Sequence, residues 1–140
     1  MLKREKEHIN YVLLNDTNNA VMPFANLLKN IQKHVNLNAE EEAYLLSLFS
    51  EKAVDKKEML LHEGQPCHYF YFVYKGALRS YCLDKQGKES TIMFALQNWW
   101  ITDMFCFLND KPAIMFIEAL QDSVVLQIHK KSLDNLLLKY

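Results

Sequence analysis

The stretch that decides the fold is residues 64–100, GQPCHYFYFVYKGALRSYCLDKQGKESTIMFALQNWW. It contains three runs rich in aromatic and aliphatic residues, at 69–74, 77–83 and 88–96. Gly76 follows the first run, and Gly87 ends the turn DKQG before the third. Glycine turns between such runs are typical of strands. The connections are shorter than the roughly dozen residues of a parallel crossover, so we predict an antiparallel meander of three strands.

The whole chain has the size and composition of one packed domain. Its 140 residues are 50% hydrophobic and 12% aromatic, which excludes a disordered chain and is enough for one core. The formal net charge is −1, from 16 Lys and Arg against 17 Asp and Glu. A free-standing nucleic-acid-binding domain usually carries a basic excess. We therefore predict that DNA is contacted only through a region that these 140 residues do not contain.

The cysteines and the N-terminus predict the compartment. Cys67, Cys82 and Cys106 are an odd number and form no CxxC pair, which argues against a disulfide framework and fits a reducing cytoplasm. The first ten residues, MLKREKEHIN, are charged and lack the apolar block of a signal peptide. No apolar run is long enough to span a membrane. The sequence predicts a soluble, cytoplasmic protein with no membrane partner.

Helices are predicted ahead of the strands. Residues 1–21 are polar and poorly patterned, which predicts a loose leader and leaves open whether Met1 or Met22 is the natural start. Residues 24–35 carry apolar side chains at helical spacing. Asn38 with Glu41 three positions later predicts a capping box that opens a second helix. One domain is therefore expected at 22–140, starting with two helices.

Further elements are predicted around the meander. They are strands at 53–55, 59–62, 113–120 and 123–129, a short helix at 101–108, a loop at 109–112, and a last helix that begins at Ser132 and reaches Tyr140. Short strands of this number with few helices are typical of a mainly β fold with flanking helices, a double-stranded β-helix or jelly-roll barrel. The interior of a barrel of this size can hold one small ligand.

The chain resembles the cyclic-nucleotide-binding-like sensor domain of the Crp/Fnr (catabolite-activator) family of bacterial transcription regulators. The resemblance covers residues 24–140. Its most specific segments are EGQ at 63–65, FYFVYKGALR at 70–79, DKQGKESTIMFAL at 84–96, NWWITDMFCF at 98–107, IEAL at 117–120 and VVLQIHKKSL at 124–133. The segments NWW and LRSYCLDKQGKE look like a branch common in Bacteroidetes-type bacteria.

The resemblance implies a phosphate-binding cassette at the short helix. In that family a Gly-Glu pair opens the cassette and an arginine follows the next loop; the glycine and the arginine hold the cyclic phosphate, and the glutamate holds the ribose. The matching positions here are Thr102, Asp103 and Ala113, with Ile114 after the arginine position. The arginine is absent, and Lys111 is the only cation of the loop. The resemblance therefore implies a barrel that does not respond to cyclic AMP.

Other candidate contacts of a ligand follow from the same picture. Met104, on the cassette helix, completes the degenerate cassette. Ser80 and Ile92 are expected to point into the barrel by strand alternation, beside Leu78, Cys82 and Phe94. The alternative for these side chains is plain core. For Thr102 and Asp103 the alternative is capping of their own helix.

Other functional patterns are weaker. Trp99 and Trp100 are predicted as core residues that need a partner for their N–H groups. His62 and His68 invite a cupin-like metal site, but the HxH spacing with downstream Glu and His is missing. No catalytic Ser-His-Asp or Cys-His grouping and no glycine-rich phosphate loop is discernible. We predict neither an enzyme nor a cofactor.

The functional hypothesis is the effector-sensing domain of a Crp/Fnr-like regulator. Its partner is expected to be an unknown small molecule, with a cyclic nucleotide disfavoured. The full-length protein is expected to be a homodimer that reads DNA through a helix-turn-helix outside this chain. Two alternatives remain open, a stand-alone small-molecule-binding barrel and a cupin-type metal enzyme.

Overall fold

A computed structural model describes residues 22–139 of the chain. The helices are α1 (Met22–Gln32), α2 (Ala39–Ser47), α3 (Met104–Asn109) and α4 (Lys130–Lys139). The strands are β1 (Phe49–Val54), β2 (Met59–Leu61), β3 (Tyr69–Lys75), β4 (Leu78–Leu83), β5 (Glu89–Ala95), β6 (Trp100–Ile101), β7 (Phe116–Ala119) and β8 (Ser123–His129). The predicted leader at 1–21 and the predicted end of the last helix at Tyr140 lie outside the described residues.

The strands form two four-stranded antiparallel sheets. One sheet has the order β1-β8-β3-β6 and the other the order β2-β7-β4-β5. With two helices before the strands, one among them and one after, this architecture confirms the predicted mainly β, jelly-roll fold. No helix in residues 22–139 is long and apolar enough to cross a membrane.

The predicted three-strand meander is wrong at its first connection. β4 pairs with β5 as expected, but β3 pairs with β6 and β8 in the opposite sheet. The chain changes sheets at Gly76, whose φ is +103° and whose missing side chain leaves room for Ser123. The hydroxyl of Ser123 accepts a hydrogen bond from the Ala77 N–H at 3.2 Å. Only glycine tolerates this backbone angle beside so close a neighbour.

Several predicted boundaries also shift. The helix predicted at 101–108 begins only at Met104, because Trp100–Ile101 pairs with β3 as strand β6. The strand predicted from residue 113 begins at Phe116, and the last helix begins at Lys130, so that Ser132 lies within it. The capping box is confirmed, since the Asn38 side chain accepts from the Glu41 N–H and the Glu41 carboxylate accepts from the Asn38 N–H.

The sheet β1-β8-β3-β6 buries both faces. One face packs against the helices through an aromatic cluster, in which Trp100 makes edge contacts with Phe49, Phe70 and Phe72. The Trp100 indole N–H donates to the Asn30 side chain at 2.8 Å, as predicted for a core tryptophan. The prediction for its neighbour Trp99 is wrong, since that side chain is 50% exposed.

An apolar groove of about 450 Å³ remains between α1, α2 and α4 on this helical side. The opposite face of the sheet points toward the second sheet. The two sites described below both adjoin the space between the two sheets.

Candidate functional site

The segment predicted as the cassette, residues 102–114 and called the cassette below, packs against the loop before β3. Thr102 leaves strand β6, Asp103 caps helix α3, and the loop after α3 returns the chain to β7. The Thr102 hydroxyl donates to the Tyr69 carbonyl at 3.0 Å. That side chain is therefore committed to the backbone of β3 and is buried.

Asp103 is fully buried, with 0% of its surface exposed. Its Oδ1 accepts from the Cys106 N–H at 3.1 Å, which is the capping bond of α3. Its Oδ2 accepts from the Ile114 N–H at 2.8 Å. Both carboxylate oxygens thus hold backbone amides, and the side chain ties the start of α3 to the segment that leads into β7. Asp103 therefore caps its own helix, which was the alternative to a ligand contact. Each of its two carboxylate oxygens accepts a hydrogen bond from the protein.

The arginine position of the cassette holds a small buried side chain. Ala113 is only 3% exposed and packs into the core between the sheets. Its N–H donates to the Gln65 carbonyl and its carbonyl accepts from the Gly64 N–H, both at 2.8 Å. The main chain is therefore fixed at this position, while the side chain offers no donor to an anion. Lys111, the cation of the loop, is exposed.

The nearest described arginine does not replace the missing one. Arg79 donates from Nε to Glu118 and from Nη2 to Glu89, each at 2.8 Å. Its guanidinium also lies 4.1 Å from the ring centre of Tyr81. The hydrogen bond to Glu89, with a smaller contribution from Glu118, raises the pKa of Arg79. Two carboxylates already neutralise this side chain, so it is not free for a phosphate.

A disulfide bond joins Cys67 to Cys106 across 39 positions of the sequence. The prediction of unpaired cysteines is wrong for these two, and Cys82 is the free cysteine among the described residues. The fold explains the pairing, because the loop before β3 packs against helix α3. The cross-link holds the cassette helix to that loop. No local spacing motif in the sequence indicated it.

The remaining candidate residues do not gather around one ligand position. Ser80 is buried as expected, while Met104 and Ile114 are about half exposed. The inward orientation predicted for Ile92 is wrong, since 57% of its surface is exposed. Ser80 pairs with Met93, and the next residue of β4 pairs with Thr91, so Ile92 is the extra residue of a β-bulge. A bulge interrupts strand alternation. Phe94, also expected inside, is half exposed, and Cys82 is partly exposed.

A second site adjoins the cassette, because Gln65, Cys67 and Tyr69 of its lining bond to Ala113, Cys106 and Thr102. The sequence analysis missed it. It is a cavity of about 320 Å³, called here the polar cavity. Its lining consists of Lys52, Met59, Leu60, Leu61, Gln65, Pro66, Cys67, His68, Tyr69, Tyr71 and Gln127. A signal was present in β8, where Gln127 and His129 interrupt a run of apolar residues. That signal could be interpreted only once the pairing of the strands was known.

Tyr71 is the most buried polar group of this cavity. Its side chain is 5% exposed, and its hydroxyl reaches the Leu60 carbonyl at 3.4 Å, a long contact. Burial, with a smaller contribution from Tyr69, raises the pKa of Tyr71 to about 12. The hydroxyl therefore keeps its proton at neutral pH and remains a hydrogen-bond donor.

The two histidines considered for a metal site have different neighbours. His62 makes an edge contact with the Phe116 ring, whereas His68 stacks on His129 at 5.8 Å between ring centres. Within residues 22–139, no group of three or more His, Cys, Asp or Glu side chains is placed to hold a metal ion.

Comparison with known proteins gives one family match. Residues 51–140 match the family described as "Cyclic nucleotide-binding domain". These residues make up more than half of the chain and include both β-sheets apart from the first two residues of β1, the cassette and the polar cavity.

A curated relative and two solved structures illustrate the match. A cAMP-dependent protein kinase regulatory subunit of Debaryomyces hansenii is 24% identical over 133 residues, which are 95% of this chain and 28% of that protein. The chain thus spans little more than a quarter of its length. The sensor domain of the transcriptional regulator DNR from Pseudomonas aeruginosa has a TM-score of 0.67 and 19% identity, over 78% of this chain and 75% of that one.

The second structure is the regulatory subunit of a cAMP-independent protein kinase A from Trypanosoma cruzi bound to guanosine. Its TM-score is 0.63 and its identity 17%, over 93% of this chain and 40% of that one. At these identities, both structures show a shared fold.

Proposed function

The chain belongs to the cyclic nucleotide-binding domain family, and we propose that it is the effector-sensing domain of a Crp/Fnr-like regulator that does not respond to cyclic AMP or cyclic GMP. The observation that carries this proposal is the side chain at the arginine position of the cassette. Ala113 is small, apolar and buried. An incoming phosphate would meet no guanidinium there.

The missing arginine has a large expected effect on affinity. Hydrogen bonds to charged groups contribute about 1.5–3 kcal/mol each, and a guanidinium makes two to a phosphate in a bidentate pair. Losing two such bonds amounts to about 3–6 kcal/mol, which moves a micromolar site into the millimolar range. Thr102 adds to the loss, because its Cβ substituents occupy space that glycine leaves open to a phosphate.

The acidic position supports the same conclusion. Asp103 aligns with the glutamate that holds the ribose in the resembled family, but both of its oxygens accept from backbone amides of the cassette. Turning this carboxylate toward a sugar would leave the buried N–H of Cys106 and the partly buried N–H of Ile114 without a partner, which is costly. The residue therefore serves the structure of the cassette and not a ligand.

A related fold supports a sensor for another ligand. The Trypanosoma cruzi structure is described as cAMP-independent and bound to guanosine. We take this as support for a domain that keeps the barrel and changes its effector. DNA binding and dimer formation would then belong to a larger protein, in which a ligand shifts the cassette helix between two positions. This role is regulatory and non-catalytic.

Calorimetry with cyclic AMP and cyclic GMP at millimolar concentration tests the proposal. We expect no binding by the native chain with a Kd below the millimolar range. The matched variant carries Ala113→Arg with Thr102→Gly, and its thermal unfolding midpoint is measured beside that of the native chain. A gain of cyclic AMP binding in this variant supports the argument. A native Kd in the low micromolar range would overturn the proposed loss of cyclic-nucleotide response.

A further inference from the structure

We propose that the polar cavity is a binding site for a small aromatic carboxylate. The inference goes beyond the proposed function, because it names a site and a ligand class and holds whether or not the chain belongs to a transcription regulator. It rests on the strand register, the charge of the lining, the apolar walls and one buried hydroxyl.

The register of the strands places polar side chains on one end of an inner sheet face. Gln127 pairs with Tyr71, and His129 pairs with Tyr69. Two residues before Gln127 in β8, Val125 pairs with Val73, and there the same face of the sheet is apolar and fully buried. The other face of β8 is apolar at Leu126 and Ile128, where the helices cover it. The polar side chains therefore concentrate where the space between the sheets opens to solvent.

The charge of the lining favours an anion. Lys52 is the one formally charged side chain among the described lining residues, and no carboxylate of residues 22–139 lines the cavity. Its ammonium lies 3.6 Å from a Glu58 carboxylate oxygen, and both side chains are partly exposed. That distance exceeds the roughly 2.7–2.9 Å of a charge-assisted hydrogen bond. An ammonium has three donors, so Lys52 can bind a ligand carboxylate.

The walls of the cavity suit a flat apolar body. Apolar surface comes from Leu60, Leu61 and Cys67. The rings of Tyr69 and Tyr71 add flat surface, with their centres 6.2 Å apart. A volume of about 320 Å³ is at the lower end of the range of roughly 300–1,000 Å³ for small-molecule sites. The cavity therefore fits a compact aromatic molecule better than a nucleotide.

One buried hydroxyl supplies a polar contact inside the cavity. The Tyr71 hydroxyl makes only the long contact of 3.4 Å to the Leu60 carbonyl. A carboxylate oxygen closer than that carbonyl would be a better acceptor, because an anionic acceptor shortens and strengthens the bond. Lys52 from β1 and Tyr71 from β3 would then hold the same anionic group from two strands.

The test uses 1-naphthoate as the probe and its neutral counterpart, 1-naphthylmethanol, as the matched ligand. Both are titrated into the 140-residue chain, and amide chemical shifts are followed by NMR. We expect saturable shifts at residues 65–71 and at Gln127, and affinity for the anion about tenfold or more above that for the alcohol. Shifts confined to the cassette or to the apolar groove between the helices would overturn the assignment, as would equal affinity for the two probes.

Two lysine variants separate the cavity charge from the charge of the whole chain. Lys52→Met is expected to weaken 1-naphthoate binding about tenfold or more, with an unchanged thermal midpoint. Lys56→Met removes the same charge from the nearby β1–β2 turn, outside the cavity, and is expected to change the affinity less than about twofold. Equal effects of the two variants, or no effect of Lys52→Met, would overturn the proposal.

Failure of this inference and failure of the proposed function are distinguishable. Tight cyclic AMP binding at the cassette would overturn the loss of cyclic-nucleotide response and leave the polar cavity untouched. Absence of saturable 1-naphthoate binding at millimolar concentration would overturn the cavity proposal alone.

Discussion

Two neighbouring parts of the barrel, the cassette and the polar cavity, use polar groups in opposite ways. In the cassette, Thr102 and Asp103 are buried and bond to the protein's own backbone, and Cys106 is cross-linked to Cys67. In the polar cavity, Lys52 and Gln127 line an open space. A polar residue inside a barrel is therefore not by itself a sign of a ligand site. The sign is a polar atom whose hydrogen-bonding capacity the fold has left unused.

The comparison predicts that the backbone-bonded side chains of the cassette stabilise the fold strongly, whereas Lys52 of the polar cavity does not. Four experiments test or sharpen this contrast. The expected changes in the free energy of unfolding decrease from the first experiment to the last.

The largest effect is expected from Asp103→Ala. The change leaves the buried N–H of Cys106 and the partly buried N–H of Ile114 without acceptors. At about 1.5–3 kcal/mol for each hydrogen bond to a charged group, the free energy of unfolding should fall by about 3–6 kcal/mol, measured by urea denaturation. Asp103→Asn is the control and should lose about half as much, because it keeps one acceptor oxygen. A loss below about 1 kcal/mol for the alanine variant would show that the cassette does not depend on this carboxylate.

The second effect concerns the disulfide that fixes helix α3. Cys67 and Cys106 close a loop of 39 positions, and loop-closure entropy for such a length amounts to about 4 kcal/mol. We expect Cys106→Ser, or reduction by dithiothreitol, to lower the free energy of unfolding by about 2–4 kcal/mol. Cys82→Ser is the control and should change it by less than about 0.5 kcal/mol. Equal stability with and without the reductant would contradict a closed disulfide.

Much of this architecture could be predicted from the sequence, because its signals are local. Apolar runs and glycine turns located the strands, and Asn38 with Glu41 located the start of α2. A short helix after the strands was also predicted, although it begins at Met104 and not at residue 101, and its role as a cassette with Ala113 at the arginine position stays a prediction. These features depend on neighbouring residues and on a short motif.

The features that were missed depend on contacts between distant segments. Cys67 meets Cys106 only after the loop before β3 packs on α3, and Lys52 shares a cavity with Gln127 only through the order β1-β8-β3. The exposure of Ile92 follows from a bulge, which one extra residue in β5 produces relative to β4. The sheet change at Gly76 likewise requires the position of Ser123. None of these contacts has a signature within a short window of sequence.

The third experiment is a pH titration of Tyr71. Its folded pKa of about 12 lies above the value of about 10 for an unfolded tyrosine. The folded state therefore holds this proton more tightly, and the resulting stability is fully present below pH 10 and is lost as the pH rises toward 12. The decrease is on the order of 2–3 kcal/mol, measured by urea denaturation at a series of pH values.

Tyr71→Phe is the control for this titration. It should remove the late step from the ultraviolet absorbance titration of tyrosine and flatten the corresponding part of the stability profile. A Tyr71 that titrates near pH 10 would show that water reaches its hydroxyl freely.

The smallest effect is expected from Lys52→Met. This variant best distinguishes the polar cavity from the cassette. Its ion pair with Glu58 spans 3.6 Å between partly exposed groups, and exposed pairs contribute about 0–1 kcal/mol. Methionine keeps the apolar length of the lysine stem, so the free energy of unfolding should change by less than about 0.5 kcal/mol. Only weaker 1-naphthoate binding together with unchanged stability would assign the lysine to a ligand. A loss of about 2 kcal/mol or more would instead make Lys52 a structural residue like Asp103, and the contrast between the cassette and the polar cavity would disappear.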